Sequence, residues 1–253
     1  MSRIELFGVE VDAVTTDEAV DWVGAQVAGP GRGRILTLNA TGMMMAEADE
    51  FLRRYVTEAE LVVADGQPLV WASPLFATAL PERVPGIDLL DRMMAEAAVN
   101  GWGVYLLGAE DETIKDAATR LERKHPGLTI VGYHNGFLGD AEAKVAAGIA
   151  ASGADLLCVG MGMPRQERFL DAHWDDLGVS VAIGVGGTFE VITGRLRRAP
   201  GPVQKVGLEW AFRMIQEPRR LGGRYAATFF WLAKRTAPVA VRRLLSRVTA
   251  GRR

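Results

Sequence analysis

Cysteine is nearly absent from this 253-residue sequence, which contains only Cys158. A single cysteine excludes an intramolecular disulfide, and its place in the apolar run 156–159 predicts a buried thiol in a reducing compartment. No apolar run reaches the roughly 18 residues that a membrane-spanning helix requires. The first residues, Met1–Glu5, lack the apolar stretch of a signal peptide. We therefore expect neither a secreted nor a membrane-spanning protein.

The signatures of several common catalytic sites are missing. The three histidines, His125, His134 and His173, are scattered and do not form an HExxH-like pair. No Asp-x-Asp follows an apolar strand, and the acidic pairs are typical of helix surfaces and helix starts. The Gly-Lys-Ser/Thr of a P-loop and the Gly-x-Ser-x-Gly of a serine hydrolase do not occur. The sequence thus predicts no metal site, no cofactor and no nucleophilic triad.

Two glycine-rich loops approach a dinucleotide-binding fingerprint without matching it. In the loop 160–165 the third glycine position holds Arg165, and in the loop 184–189 it holds Phe189. The third glycine allows the helix to pack closely on the sheet in that motif. A nucleotide-binding α/β oxidoreductase is therefore a weakly supported alternative.

Charge is distributed unevenly, although the net charge is only −2. Residues 195–253 contain 15 Lys/Arg and two acids, a balance of +13, whereas residues 1–194 carry −15. A basic segment of this kind indicates an anionic partner, such as a membrane surface, a nucleic acid or a phosphorylated ligand. We predict an α/β domain over residues 1–194 and a basic, aromatic-rich helical appendage over residues 195–253.

Short apolar segments alternate with helical patterns along the α/β domain. This alternation predicts βαβ units and a mainly parallel, Rossmann-like sheet flanked by helices. A small hairpin or edge strand is expected over Ile4–Val11, and the appendage is expected to form helices over Pro202–Gln216 and Arg219–Lys234. The predicted strands are Arg34–Leu38, Glu60–Ala64, Trp102–Leu107, Leu128–Tyr133, Asp155–Val159 and Val179–Ile183.

Aromatic side chains alternate with basic ones in the appendage. Phe229, Phe230 and Trp231 lie between Arg224 and Lys234. This composition is typical of an interfacial helix on an anionic membrane. A docked helical arm with a solvated basic face, or a non-catalytic membrane- or nucleic-acid-binding module, remains open on composition alone.

Small or polar residues follow nearly every predicted strand. The carboxyl ends of parallel strands lie along one edge of a sheet, so these residues would surround a shared cleft. The helix after strand Asp155–Val159 is expected to start at Pro164, and its free N–H groups could hold a phosphate or a polar sugar group. The strand-end residues are Thr37, Asn39, Asp65, Gly108, Asn135, Gly136, the loop Gly160–Glu167 and the loop Gly184–Thr188.

Asp65 is the acid at one of these strand ends. Gly66 lets the backbone turn sharply after it, and a helix can start near Pro68. An isolated Asp-Gly pair is more often a turn or a helix cap, so position alone leaves its role open. The following loop contains two prolines and a glycine, and Asp88 is expected to cap the helix after it.

A set of motifs in a fixed order identifies a resemblance. Together they resemble the WecG/TagA/CpsF glycosyltransferases, glycosyltransferase family 26, over roughly residues 1–235. The motifs are Asp65-Gly66, Pro81-Glu82-Arg83-Val84-x-Gly86-x-Asp88, Gly160-x-Gly162-x-Pro164-x-Gln166-Glu167, Gly184-Val185-Gly186-Gly187-Thr188-Phe189, Arg198-Ala199-Pro200, Glu209-Trp210 and Glu217-Pro218-x-Arg220.

The resemblance implies an inverting transferase. Such enzymes move an N-acetylmannosamine-type sugar, or a related hexose, from a UDP donor to a polyprenyl-diphosphate-linked sugar. The reaction belongs to surface-polysaccharide or cell-wall polymer synthesis at the inner, cytoplasmic face of the plasma membrane. The family uses no Asp-x-Asp metal site. The resemblance also implies a peripheral membrane protein. Its appendage would dock on an anionic surface and close over the active site.

The resemblance also suggests residue roles. It implies that Asp65 is the general base and that Thr37 and Gln166 lie in the substrate pocket. We expect the negative charge on the leaving UDP to be stabilised by the helix start after strand Asp155–Val159 and by tail arginines. The remaining candidates for substrate binding are Asn39, Gly66, Arg83, Gly86, Asp88, Gly108, Asn135, Gly136, Gly160, Gly162, Pro164, Glu167, Gly186, Gly187, Arg213, Arg220 and Arg224.

The sequence leaves the sugar, the acceptor and the oligomeric state open. Exposed apolar surface on the appendage would favour a homo-oligomer. No nucleic acid is expected as a partner under this reading.

Overall fold

A short antiparallel hairpin precedes the main sheet in the computed structural model, which describes residues 2–76 and 79–250. Of Arg220 and residues 242–250 only the backbone is described. Strand β1 (Arg3–Leu6) pairs with strand β2 (Val9–Asp12) through a turn in which Phe7 and Gly8 have φ values of 56° and 80°. Positive φ at both positions is typical of a type I′ two-residue hairpin turn, and the antiparallel pairing confirms the predicted hairpin.

The main sheet has six parallel strands, which confirms the predicted Rossmann-like class. Their order across the sheet is β4-β3-β8-β7-β5-β6. Because all six run the same way, their carboxyl ends share one edge. The strands are β3 (Gly33–Leu38), β4 (Leu61–Ala64), β5 (Gly103–Gly108), β6 (Thr129–His134), β7 (Leu156–Gly160) and β8 (Val181–Gly184).

Helices cover both faces of this sheet. Short 3₁₀ turns lie at Ser73–Leu75 and Gly139–Ala141. The α-helices are α1 (Thr16–Ala28), α2 (Ala40–Ala48), α3 (Glu50–Glu58), α4 (Gln67–Ala72), α5 (Gly86–Asn100), α6 (Asp111–Lys124), α7 (Glu142–Ala151), α8 (Arg165–His173), α9 (Thr188–Ile192), α10 (Gly201–Lys205), α11 (Glu209–Gln216) and α12 (Pro218–Ala250).

The strands separate two apolar cores. On one face, Leu157 and Val159 of β7 pack in a cluster with residues of α2, α3, α7 and α8. On the other face, Leu156 and Cys158 pack in a cluster with residues of α1, α5 and α6. Burial on both faces explains why most strands read as continuous apolar runs, whereas β6 at the sheet edge alternates exposed and half-buried residues. Cys158 is fully buried, as predicted, and burial raises the pKa of its thiol to about 12.

The hairpin closes the free edge of β4. The carboxylate of Asp12 is 4% exposed and its Oδ2 accepts from the backbone N–H of Val62 at 2.8 Å. Arg3 Nε donates to the other oxygen of Asp12 at 3.1 Å. A side chain therefore satisfies a backbone donor that an edge strand would otherwise leave unpaired.

The appendage packs against the start of the α/β domain. The hydroxyls of Thr228 in α12 and Thr41 in α2 lie 3.0 Å apart. Trp231 Nε1 donates to the carboxylate of Glu47, and its ring lies 5.2 Å from the ring of Phe7. Thus α12 docks on α2, the helix that follows β3.

The predicted helix Pro202–Gln216 is wrong, because residues 206–208 separate α10 from α11. Gly207 has a φ of 74° there, and a Cβ on it would lie 2.9 Å from Trp71 Cζ2. Close packing on α4 therefore breaks the helix. The predicted break at Pro218 is confirmed, since α11 ends at Gln216 and α12 begins at Pro218.

Within the described residues, no helix combines the length and apolarity needed to cross a bilayer.

Candidate active site

Asp65 is the first residue after β4 and lies half-buried at the carboxyl edge of the sheet. Its backbone N–H donates to the carbonyl of Leu38 at 2.9 Å, which ties it to the end of β3. Its carboxylate Oδ1 accepts from the backbone N–H of Gly86, the first residue of α5, at 3.3 Å. The amino end of a helix favours a negative charge, so α5 helps to hold this carboxylate in place.

Opposing influences act on the pKa of Asp65. Burial is the largest of them and raises the pKa, and the carboxylate of Glu209 raises it further. The guanidinium groups of Arg213 and Arg83 and the N–H of Gly86 lower it, but the net direction is upward. A carboxylate whose pKa is raised toward the working pH is a better general base than a free one.

Glu209, the first residue of α11, holds three arginines near Asp65. Its Oε2 accepts from Arg83 Nη1 at 3.1 Å. Its Oε1 lies 3.7 Å from Arg198 Nε and 3.9 Å from Arg213 Nη2. Glu209 is 7% exposed, so its carboxylate attracts the three guanidinium groups in a poorly solvated environment. A residue of the appendage therefore fixes the cations that influence Asp65.

Asp88 takes part in the same network. Its Oδ2 accepts from Arg198 Nη2 at 2.6 Å. The prediction that Asp88 caps α5 is wrong, because the N-cap is Pro85 and Asp88 lies in the first turn. The carboxylate of Asp65 already accepts from Gly86, the first N–H of that helix. Contact between Asp88 and a substrate stays a prediction.

Thr37 belongs to β3, and its side chain lies between β8 and the start of α5. Its Oγ1 donates to the carbonyl of Gly184 at 2.9 Å. A Cβ on Gly86 would lie 3.2 Å from Thr37 Cγ2, so glycine permits α5 to start this close to β3. The fold thus brings the predicted general base, Asp65, and the predicted pocket residue Thr37 to the same helix terminus.

Gln166 joins the two glycine-rich loops. Its Oε1 accepts from the N–H of Gly162 at 3.0 Å and from that of Gly186 at 3.1 Å. Its Nε2 donates to Glu167 Oε1 at 2.8 Å. Gln166 is 5% exposed and Glu167 is 1% exposed. Direct contact of either side chain with a substrate stays a prediction, while their contacts with the loops and with each other are part of the fold.

Glycines at the ends of β5, β6 and β7 allow these strand ends to approach closely. Gly108 has a φ of 144°, and a Cβ on it would collide with the backbone of Gly160. A Cβ on Gly136 would lie 3.1 Å from the Cα of Gly108. These three glycines, predicted to bind substrate, therefore have a packing role that explains them without a ligand.

Both asparagines of the predicted site have local partners. Asn39 Oδ1 accepts from Gly42 N at 3.0 Å and so caps α2. Asn135 Nδ2 donates to Asp111 Oδ1 at 2.8 Å, and its Oδ1 accepts from Phe137 N at 2.9 Å. Contact of either asparagine with a substrate stays a prediction.

The loop before α8 departs from prediction by one position. Pro164 is the N-cap, and Arg165 is the first helical residue. Three N–H groups at this helix start are already bound: that of Gly162 by Gln166 Oε1, and those of Arg165 and Gln166 by the carbonyl of Gly162.

The three predicted tail arginines differ in position. Arg213 is half-buried and close enough to Asp65 to lower its pKa. Arg224 lies exposed on α12. The side chain of Arg220 lies outside the described residues.

Arg198 and Glu209 were not predicted as site residues. Both stand in motifs of the resemblance, Arg198-Ala199-Pro200 and Glu209-Trp210, which was the signal available for them. In the described part of the chain, no group of three His, Cys, Asp or Glu side chains is arranged to hold a metal ion.

Comparison with known proteins identifies the family. Residues 4–243 match the Glycosyl transferase WecG/TagA/CpsF family. The chain is also 30% identical over 223 residues to N-acetylglucosaminyldiphosphoundecaprenol N-acetyl-beta-D-mannosaminyltransferases of Staphylococcus aureus strains MW2 and NCTC 8325 / PS 47, with 87% of this chain and 87% of each relative covered. The chain therefore belongs to the WecG/TagA/CpsF family of glycosyl transferases.

Proposed function

We propose that this glycosyl transferase moves an N-acetylmannosamine-type hexose from a UDP-sugar to a polyprenyl-diphosphate-linked sugar in cell-wall or surface-polysaccharide synthesis. The names of its relatives specify transfer of N-acetylmannosamine to a sugar on undecaprenyl diphosphate. At 30% identity over 87% of both chains, the same substrate class is the simplest assignment.

The observation that carries the proposal is the environment of Asp65. Its carboxylate is held by the amino end of α5, and its pKa is raised while Arg83 and Arg213 lie close enough to act on it. A positioned carboxylate can take the proton of the acceptor hydroxyl as that oxygen attacks the anomeric carbon from the face opposite UDP. The reaction then proceeds with inversion.

Cations and backbone N–H groups are proposed to stabilise the leaving UDP. The arginines held by Glu209 supply positive charge on the side of the appendage. In the loop before α8, the N–H groups of Gly162, Arg165 and Gln166 already have partners within the fold, so a backbone donor to UDP would have to come from the rest of that loop. Electrostatic groups that are fixed before the reaction stabilise developing charge most effectively. We propose that they do so without a metal ion, so a chelator should leave the rate unchanged.

The appendage is proposed to hold the enzyme on the inner face of the plasma membrane. Ile215 and Phe230 are 75% and 74% exposed. Arg219, Arg224 and Lys234 are exposed on α12. Exposed apolar side chains among cations suit an anionic bilayer surface. The acceptor is anchored in that bilayer by its polyprenyl chain, so docking would bring the enzyme to it.

The general-base assignment is tested by the substitution Asp65→Asn. Loss of the base should reduce UDP release with a lipid-linked acceptor by ~10²–10⁴-fold. The same substitution should raise the melting temperature at neutral pH, because a carboxylate with a raised pKa in the folded state destabilises the fold above its unfolded pKa. Full activity in the variant would remove Asp65 from this role.

The substrate class is tested with the wild-type protein. A panel of UDP-sugars should include one that raises the melting temperature and supports transfer. NAD should have no effect on the melting temperature, since the loops at 160–165 and 184–189 lack the third glycine. Stabilisation by NAD alone would instead favour the oxidoreductase alternative.

A further inference from the structure

Glu167 is a buried acid to which the proposed reaction assigns neither a proton transfer nor stabilisation of the leaving UDP. It lies in the first turn of α8 and is 1% exposed. Among the described residues, no cation forms an ion pair with it, and its Oε2 has no hydrogen-bond partner. Burial raises its pKa to about 7. A buried carboxylate without a counter-ion destabilises a fold, so its presence calls for an explanation.

Among the described residues, Gln166 is the one whose side chain donates a hydrogen bond to Glu167. Gln166 Nε2 donates to Glu167 Oε1 at 2.8 Å, while the other end of the same amide accepts from Gly162 N and Gly186 N. The amide can satisfy these partners in only one orientation. If it rotated by half a turn, its NH₂ group would face two backbone donors, and its oxygen would face the carboxylate.

The surroundings leave this amide little space. A Cβ on Gly184 would collide with Gln166 Nε2 and would lie 3.4 Å from Glu167 Oε1. Gly184 is also the residue whose carbonyl accepts from Thr37. The amide therefore lies at the carboxyl end of β8, between the two loops and one strand away from Thr37.

We propose that Glu167 is a positioning residue whose carboxylate oxygen locks the amide of Gln166, so that Gln166 holds the loops of Gly162 and Gly186 at a fixed separation beside the active-site cleft. The required property is a hydrogen-bond acceptor at this distance, and the negative charge is not needed. The inference rests on the proposed function only for its kinetic consequence, because the loop geometry exists without substrate.

Two substitutions separate the acceptor from the charge. Glu167→Gln keeps an oxygen at the same reach and removes the charge. Glu167→Asp keeps the charge and withdraws the oxygen by one methylene. We expect Glu167→Asp to lose about tenfold more of its kcat/KM than Glu167→Gln loses, the range of one lost hydrogen bond. The acidic limb of the pH profile should not move in Glu167→Gln, as it would if Glu167 donated or accepted a proton in the reaction.

A second measurement needs no substrate. Amide hydrogen exchange at Gly162 and Gly186 should be as slow in Glu167→Gln as in the wild type and faster in Glu167→Asp. Arg168→Gln is the matched control on α8, because Arg168 makes a surface ion pair with Asp49 at 2.9 Å and should change neither rate of exchange nor activity.

The outcomes distinguish failure of the positioning role from failure of the proposed function. Wild-type behaviour of Glu167→Asp in both measurements, or impairment of Glu167→Gln as severe as that of Glu167→Asp, would overturn the proposal. If the wild-type protein showed no transfer from any UDP-sugar, the proposed function would fail, while the exchange rates would still test the positioning role. Melting temperatures close to the wild-type value establish that each variant is folded.

Discussion

Three features distinguish the carboxylate of Asp65: its position at a strand end, its hydrogen bond and its raised pKa. Its position follows from the end of β4, its hydrogen bond from the start of α5, and its pKa mainly from burial. The sequence could predict the first of these, because an acid after a buried strand and a motif of the family are both visible in it. The other two depend on packing that brings residues 83–86 and the appendage to this carboxylate.

Glu209 shows what sequence reasoning missed at this scale. It lies 144 positions after Asp65 in the chain, yet it raises the pKa of Asp65. It also binds Arg83 of the α/β domain. Nothing in the local sequence of α11 indicates these partners, because the contact forms only when the appendage folds back. Its motif marked it as important without assigning a role.

Neutralising Glu209 should therefore shift the pH dependence of the reaction. In Glu209→Gln the negative charge that raises the pKa of Asp65 is gone, while Arg213 and Arg83 still lower it. The acidic limb of kcat/KM, where Asp65 becomes protonated, should move to lower pH. Glu110→Gln is the control, since Glu110 is 71% exposed and pairs with Arg195. An unchanged limb would show that Glu209 does not act on the proposed base. A limb shifted to higher pH would contradict the predicted direction and show that Glu209 acts mainly by holding Arg83 and Arg213 near Asp65.

At the scale of elements, the parallel sheet was predictable and the appendage was only partly so. Apolar runs separated by helical patterns predict the strands, because five of the six are buried on both faces, whereas β6 at the sheet edge alternates exposed and half-buried residues. The appendage depends on contacts with the α/β domain. Gly207 breaks its first helix where it meets Trp71, and that meeting is not encoded in the periodicity of residues 202–216.

Two adjacent residues of α12 should have separable roles. Trp231→Ala removes the ring contact with Phe7 at 5.2 Å and the hydrogen bond to Glu47, so the appendage should undock and be cleaved faster in limited proteolysis. Phe230 is 74% exposed, so Phe230→Ala should leave proteolysis unchanged and weaken binding to anionic vesicles. The same effect of both substitutions on both measurements would contradict this division of roles.

At the scale of the whole molecule, charge separation is the dominant feature. Residues 195–253 carry +13 and residues 1–194 carry −15. The net charge of −2 would not by itself predict attraction to an acidic membrane. An oriented molecule can bind such a surface through its appendage while the acidic domain stays in solution.

Vesicle binding should follow this separation. The protein should sediment with vesicles containing anionic lipid and not with purely zwitterionic ones, and binding should weaken with salt as the Debye length falls from about 10 Å at 0.1 M to about 3 Å at 1 M. A chain ending at residue 194 is the control. Equal binding of that chain would place the membrane contact elsewhere, and salt-independent binding would point to apolar insertion.

Sedimentation velocity of the free protein tests whether the same exposed surface instead drives self-association.

The hairpin at the start of the chain has a practical consequence. Asp12 binds the N–H of Val62 on β4, the edge strand that carries Asp65 at its end. A chain shortened past Asp12 would offer that edge as a template on which a second molecule could add a strand. Such a protein should aggregate, and its light scattering should increase with concentration. Any loss of activity in it would then be caused by aggregation and would not show a change in the chemistry of the site. Terminal fusions used for purification are therefore best kept away from these first strands.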